Sequence, residues 1–211
     1  MSQFTYDLDN KYIRSLPPER QQKISPLEKY TFRPNGELFH LRDTKKGVEI
    51  CRAADGQLKI SRADTDCATE IFRFELFQEV LAIQGGNRCD CVLYPEVGTK
   101  YIVFCELTHS EANYVQPFTS EGGGGKYSKA YHQLESSIQW CLDQGISFDA
   151  YEYKKAIFGW KECCPKRENK VTRSMKGFTQ PKGKPNAVHR LRGGFCFKMV
   201  RYPDVTYLCH N

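Results

Sequence analysis

The sequence predicts an α+β fold, a mixed sheet of the α/β type flanked by helices, and three observations carry that prediction. Two apolar runs of strand length, 89–94 and 101–108, are joined by Pro95-Glu96-Val97-Gly98-Thr99-Lys100, which reads as a hairpin connection. The stretch 126–142 repeats Tyr127, Ala130/Tyr131, Leu134, Ile138 and Cys141/Leu142 at three- and four-residue spacing and stops at Gly145, the pattern of a helix with its end signal. The run 148–160 closes on Ala156-Ile157-Phe158-Gly159-Trp160 and reads as a further strand.

The remaining elements follow in chain order. Residues 1–30 are polar and carry Pro17-Pro18 and Pro26, which predicts an arm or one short helix. Glu37-Leu38-Phe39-His40-Leu41-Arg42, Val48-Glu49-Ile50-Cys51 and Gln57-Leu58-Lys59-Ile60-Ser61 alternate between turn-forming segments, so 1–65 is expected to hold the arm and a small β-meander. Residues 68–81 carry two patterns at once. Ile71, Phe74, Phe77/Gln78 and Leu81 fit a helix, whereas Phe72, Phe74 and Leu76 alternate like a strand. The preferred reading is a helix ending near Phe77 and a strand over 79–84. Residues 66–160 then form the core, 161–194 a basic Pro/Gly-rich loop, and 195–211 a strand pair turning at Pro203-Asp204 that completes the core.

A chain of 211 residues is long enough for one domain with an elaboration. It has no apolar run near twenty residues and no basic-then-apolar N-terminus, so a cytoplasmic protein without a membrane partner is expected. The ten cysteines sit largely in apolar strand or helix contexts and read as reduced thiols rather than a disulfide scaffold. Cys89-x-Cys91 and Cys163-Cys164 lack the ligand gap of a zinc site. The segment Ser120 to Tyr127 lacks the first glycine and the Ser/Thr of a phosphate loop.

The chemistry centres on the hairpin. Asp90 opens its first strand and Glu106 lies near the end of its second, and in an antiparallel pair these ends are adjacent. Two converging carboxylates repel unless a proton, an arginine or a cation intervenes. A divalent ion held by Asp90, Glu106 and the Leu107 backbone carbonyl is a natural solution. The plain alternative is a pair of solvated, turn-capping carboxylates. Lys126, Lys129 and Gln133 fall on one face of the following helix.

A strand with Asp, a strand with Glu, a helix with Lys and Gln, then a strand: over about residues 70–160 this order resembles the PD-(D/E)xK nuclease superfamily. The resemblance implies a restriction-endonuclease-like core behind the β-meander and Mg²⁺- or Mn²⁺-dependent hydrolysis of DNA, in a setting such as restriction or antiviral defence. It implies that Asp90 and Glu106 hold the metal, with an acidic residue from the helix before the hairpin, Glu75 or Glu70. Thr108 stands where the family usually has lysine, and Lys129 or Lys126 on the helix would take that role, with Gln133 facing the site. The alternative is an inactive nuclease-fold protein that binds nucleic acid or acts as a subunit of a larger complex. A homodimer is equally open.

Charge is uneven. Lys161, Lys166, Arg167, Lys170, Arg173, Lys176, Lys182, Lys184, Arg190 and Arg192, against Glu162 and Glu168, give 161–194 a net +8, so the rest of a chain of net +6 carries −2. Together with Lys126, nine of these cations (all but Lys161) are the expected contacts to a nucleic-acid backbone. A solvated loop is the plain alternative.

Overall fold

The structure is a computed structural model that describes residues 2–24, 26–81, 88–110, 115, 125–163 and 189–210. Three layers stack: helices, a seven-stranded sheet and a four-stranded sheet. The large sheet runs β1 (Thr31–Phe32), β5 (Thr69–Arg73), β6 (Cys91–Pro95), β7 (Tyr101–Ser110), β8 (Tyr153–Glu162), β10 (Cys196–Arg201) and β9 (His189–Arg190). Neighbours are antiparallel from β1 to β7, β7, β8 and β10 are parallel, and β9 is antiparallel. The small sheet runs β11 (Val205–Tyr207), β4 (Leu58–Ser61), β2 (Leu38–Arg42) and β3 (Glu49–Cys51), with β11 parallel to β4. Two mixed sheets with four α-helices bear out the α+β class.

The alternation of β7 assigns the layers. Ile102 and Phe104 pack with the helices, while Tyr101, Val103, Cys105 and Leu107 pack against Phe39, Leu41, Leu58 and Ile60 of the small sheet. Successive strand side chains point to opposite faces, so Glu106 and Thr108 fall on the helix side. The sheets approach closely at Gly159, where a Cβ would lie 2.9 Å from both Leu58 Cβ and Leu107 Cδ2. Only glycine fits there.

The helix layer holds α1 (Gln3–Asp7), α2 (Pro18–Ile24), α3 (Phe74–Val80) and α4 (Lys126–Asp143). The expected N-terminal arm is instead folded onto the core, with Phe4, Leu8, Ile13, Ile24, Leu27 and Tyr30 buried. These apolar residues are spaced about one helical turn or more apart, so the polar ones between them dominate the composition. Helix α4 matches the predicted span. It ends as the spacing implies: Gly145 (φ 76°) donates to Leu142 and Ile146 to Cys141, a Schellman closure that uses glycine's freedom at positive φ.

Several expectations are corrected. Over 68–81 both periodicities are real but in the reverse order, strand β5 and then helix α3. The turn into the helix at Phe74 is fixed by a distant partner, the Asp90 carbonyl. The N-terminal strands form, but β2 lies between β3 and β4, so they are not a meander. The C-terminal strands part company: β10 joins the large sheet and β11 the small one. The expected strand over 148–160 begins only at Tyr153 and runs on to Glu162. The nine described cysteines are free, and no helix among the described residues is long and apolar enough to cross a membrane. The segments 82–87 and 164–188 lie outside the described residues, and with them most of the basic loop.

Candidate metal centre

Asp90 sits one residue before β6, whose Cys91 pairs with Cys105 of β7, so Asp90 and Glu106 are cross-strand neighbours. The amide of Asp90 donates to the Cys105 carbonyl at 3.0 Å. Its Oδ2 accepts the Leu107 amide at 2.5 Å, pinning the carboxylate beside Glu106. Its carbonyl accepts the amides of Phe74 (3.1 Å) and Glu75 (3.4 Å), supplying acceptors that the first turn of α3 lacks. One residue thus aligns two elements that carry acidic side chains.

Glu75 lies in the first turn of α3, half-buried and near Asp90. The other candidate, Glu70, lies further back along β5 and is bound to Arg33 at 2.8 Å, which also pairs with Glu96 at 2.7 Å. A fourth carboxylate comes from the small sheet. Asp43 directly follows β2, and its amide donates to Gln57 Oε1 at 2.6 Å. Carboxylate oxygens of Asp43, Glu75 and Asp90 all lie within 4.8 Å of one another.

Glu106 stands outside this triad but interacts with it. It is 9% exposed, and its Oε2, like Asp43 Oδ1, is buried without a hydrogen-bond partner among the described residues. Burial raises its pKa to about 8, the charges of Glu75 and Asp43 add to the rise, and Lys129 and a Gln133 hydrogen bond oppose it. Burial, followed by Glu106 and Asp43, pushes Asp90 well above the carboxylate range against the Leu107 hydrogen bond. Burial also raises Asp43 and Glu75, and in Glu75 the Asp43 charge is the next cause. Desolvation and like charge act together here.

Helix α4 braces the segment that leads into Asp90. Gln133 Nε2 donates to the Arg88 carbonyl at 2.7 Å. One turn on, Ser137 Oγ accepts the Cys89 amide at 2.8 Å and donates to the Gln133 carbonyl at 2.8 Å. Gln133 Oε1 is buried with no partner among the described residues. Lys129 is exposed, and its charge lowers the pKa of both Glu106 and Glu75. Lys126 donates from its Nζ to Thr108 Oγ1 at 2.9 Å, so a helix-borne lysine reaches the position where the family resemblance expects one.

The predicted residues on β6, β7, α3 and α4 therefore converge, while others do not. Arg192 is tied to Glu135 (3.3 Å) and Gln139 on α4. Arg190 is exposed on β9 at the far edge of the sheet. Lys166, Arg167, Lys170, Arg173, Lys176, Lys182 and Lys184 lie outside the described residues. Sequence reasoning missed Asp43 and Ser137: an Asp after a strand reads as a turn residue, and a serine within a helix reads as solvent-facing. Beside Asp43 opens a cleft of about 390 Å³, lined also by Arg42, Thr44, Asp55, Gln57, His109 and Lys161.

The carboxylates are oxygen donors, two of their buried oxygens lack partners among the described residues, and burial and like charge oppose their ionisation. Such a set suits a hard divalent cation of the Mg²⁺ or Mn²⁺ type. Comparisons with protein-family models, curated proteins and solved structures find no match to this chain.

Proposed function

We propose that this protein is a metal-dependent nuclease that hydrolyses phosphodiester bonds in DNA. The observation that carries the reading is the convergence of Asp90, Glu106 and Glu75 from three elements into a buried site with an unpartnered carboxylate oxygen. Asp90 and Glu75 would hold Mg²⁺ or Mn²⁺, with Glu106 beside them and the Leu107 carbonyl as further donors. When bound, such an ion lowers the pKa of water and offsets charge on a phosphate.

The chain's own residues supply the rest. Lys129 would stabilise negative charge developing on the phosphate, while Lys126 is bonded to Thr108 Oγ1. Gln133 and Ser137 keep the strand entrance, and with it Asp90, in position. The basic residues of 161–194 would hold the DNA backbone without reading sequence. A role in restriction or antiviral defence rests on the family resemblance alone.

Thr108 in the usual lysine position favours a second reading, a nuclease-fold subunit that binds nucleic acid or a partner protein without cutting. One experiment separates the two. Purified protein is incubated with supercoiled and linear DNA with Mg²⁺, with Mn²⁺ and with chelator, beside Glu106→Gln. Cation-dependent cleavage that disappears in Glu106→Gln supports the enzyme. Cleavage unchanged in that variant rejects the catalytic site, and DNA binding without cleavage leaves the second reading.

A further inference from the structure

Asp43 has no counterpart in the strand–strand–helix–strand motif. It comes from the small sheet, a separate layer, and its position is built from two sides. Its amide is anchored to Gln57 Oε1, and Gln57 belongs to the segment entering β4, whose backbone carbonyl lies 3.3 Å from where a Cβ would stand on Gly159. The small sheet thus touches the large one beside the site.

The Asp43 carboxylate takes a hydrogen bond from the Thr44 amide, and the remaining turn contacts are made by its neighbours. Thr44 Oγ1 accepts the Lys46 amide at 3.1 Å and donates to the Gly47 carbonyl at 2.8 Å. Arg42, the adjacent cation, is engaged by Glu49 at 2.5 Å and Asp55 at 3.9 Å. Asp43 Oδ1 is left buried without a partner among the described residues, and so is Oε2 of Glu106, which is nine-tenths buried. Carboxylate oxygens of Asp43, Glu75 and Asp90 lie within 4.8 Å of one another, close enough for one ion at ordinary metal–oxygen distances of about 2.0–2.6 Å to reach all three.

We infer that Asp43 is a cation ligand delivered by the four-stranded sheet, so that a divalent ion bound by Asp43, Glu75 and Asp90 clamps that sheet onto the seven-stranded one. The inference rests on the metal-site reading and extends it: the small sheet completes the site, and ion binding reports on the contact between layers. A bound ion offsets the repulsion among these carboxylates and so holds the Asp43 turn against the site.

The test uses the full chain freed of metal and titrated with Mn²⁺ alone. Mn²⁺ affinity is measured by calorimetry and amide exchange is followed over residues 38–51. In the wild type, Mn²⁺ slows exchange across this segment. Asp43→Asn weakens Mn²⁺ binding by at least roughly tenfold, the scale on which even residues that only orient ligands act, and abolishes the slowing. Its metal-free melting temperature equals or exceeds that of the wild type. Should Asp43→Asn not fold, Gln57→Ala carries the test, because it frees the Asp43 amide without altering a carboxylate. It should weaken Mn²⁺ binding by a smaller factor and reduce the slowing.

Asp90→Asn and Glu106→Gln serve as reference variants. If they lose Mn²⁺ while Asp43→Asn, or Gln57→Ala in its place, keeps wild-type affinity and protection, Asp43 is a bystander: the inference fails and the nuclease reading stands. If the wild type itself does not bind Mn²⁺, both fail.

Discussion

The carbonyl of Asp90 accepts the backbone amide of Glu75 at 3.4 Å, so the residue that leads into β6 also orients the first turn of α3. The two carboxylates are held by one backbone contact between residues distant in sequence. Asp90 cannot shift without moving Glu75, and its own carboxylate is fixed against the Leu107 amide next to Glu106. The acidic site is rigid on this side, and its electrostatic load is written into the fold.

That load predicts a pH dependence. Glu106 has a folded-state pKa of about 8 against a reference value of 4.5, so the folded chain binds its proton more tightly than the unfolded chain. The resulting stabilisation is fully present below about pH 4.5 and is lost as pH rises through about 8. Each tenfold difference in proton affinity between the two states corresponds to about 1.4 kcal/mol, so the loss is on the order of a few kcal/mol. Urea denaturation of metal-free protein at pH 5, 7 and 9 should show stability falling across the series, with Glu106→Gln flattening the fall. A wild type whose stability does not fall between pH 5 and 9 would show that Glu106 is not held protonated.

Ser137 offers a test of the brace behind Asp90. Its hydroxyl is buried and joins the Cys89 amide to the Gln133 carbonyl. In Ser137→Ala the Cys89 amide is left buried without its acceptor, which costs about 1–3 kcal/mol. The expected outcome is a lower denaturation midpoint with an unchanged slope, together with weaker Mn²⁺ binding as Asp90 loosens. A variant with wild-type stability would mean that water replaces the hydroxyl.

The hairpin, α4 and the strand after it were legible because each has a local signal: alternation, a 3.6-residue period, a glycine stop. Asp90 and Glu106 were legible for the same reason, since a hairpin's register follows from its turn. The order of β5 and α3 was not, because the helix start depends on the Asp90 carbonyl, which is distant in sequence. The strand order of the small sheet was equally hidden: β11, near the C-terminus, pairs with β4 in the first third of the chain. Asp43 shares that fate, for its meeting with Glu75 is a consequence of layer packing and leaves no trace in the pattern around residue 43.

The contact between layers predicts the behaviour of Gly159. A methyl group there meets Leu58 Cβ and Leu107 Cδ2 at 2.9 Å, closer than packed carbons tolerate, so Gly159→Ala forces the sheets apart. Overpacking of this kind costs about 1–3 kcal/mol. Because Gln57 moves with β4 and holds Asp43, Mn²⁺ affinity should drop in parallel with the melting temperature. A variant that melts like the wild type would mean that the sheets separate without strain.

The charge of 161–194 predicts how DNA is held under the proposed function. If roughly four to six of its cations meet phosphates, log K should fall against log salt with a slope of about −4 to −5 on duplex DNA. Affinity should be nearly independent of sequence. Replacing Lys166, Arg167, Lys170 and Arg173 with serine should flatten the slope. Fluorescence anisotropy across a salt series reads this directly, and an unchanged slope would assign the segment to another partner.

Under the proposed function, Lys129 and Lys126 would divide two tasks that the family resemblance gives to one lysine. Lys129 acts on the charges of Glu106 and Glu75, whereas Lys126 is bonded to Thr108 Oγ1. If Lys129 stabilises charge that appears only as the phosphate reacts, Lys129→Ala should lower the single-turnover rate by about 10²–10³-fold with little change in DNA affinity, the signature of an interaction gained in the transition state. Lys126→Ala should cost less, and Thr108→Lys should restore part of that loss by returning an ammonium group to the strand. Metal-free Lys129→Ala should also be less stable than the wild type above pH 8, where Glu106 is ionised, and closer to it at pH 5, where Glu106 holds its proton. A rate loss confined to Lys126→Ala would move the catalytic role one turn back along α4. Full rates in both single variants and in the double variant would leave neither lysine a part in the chemistry.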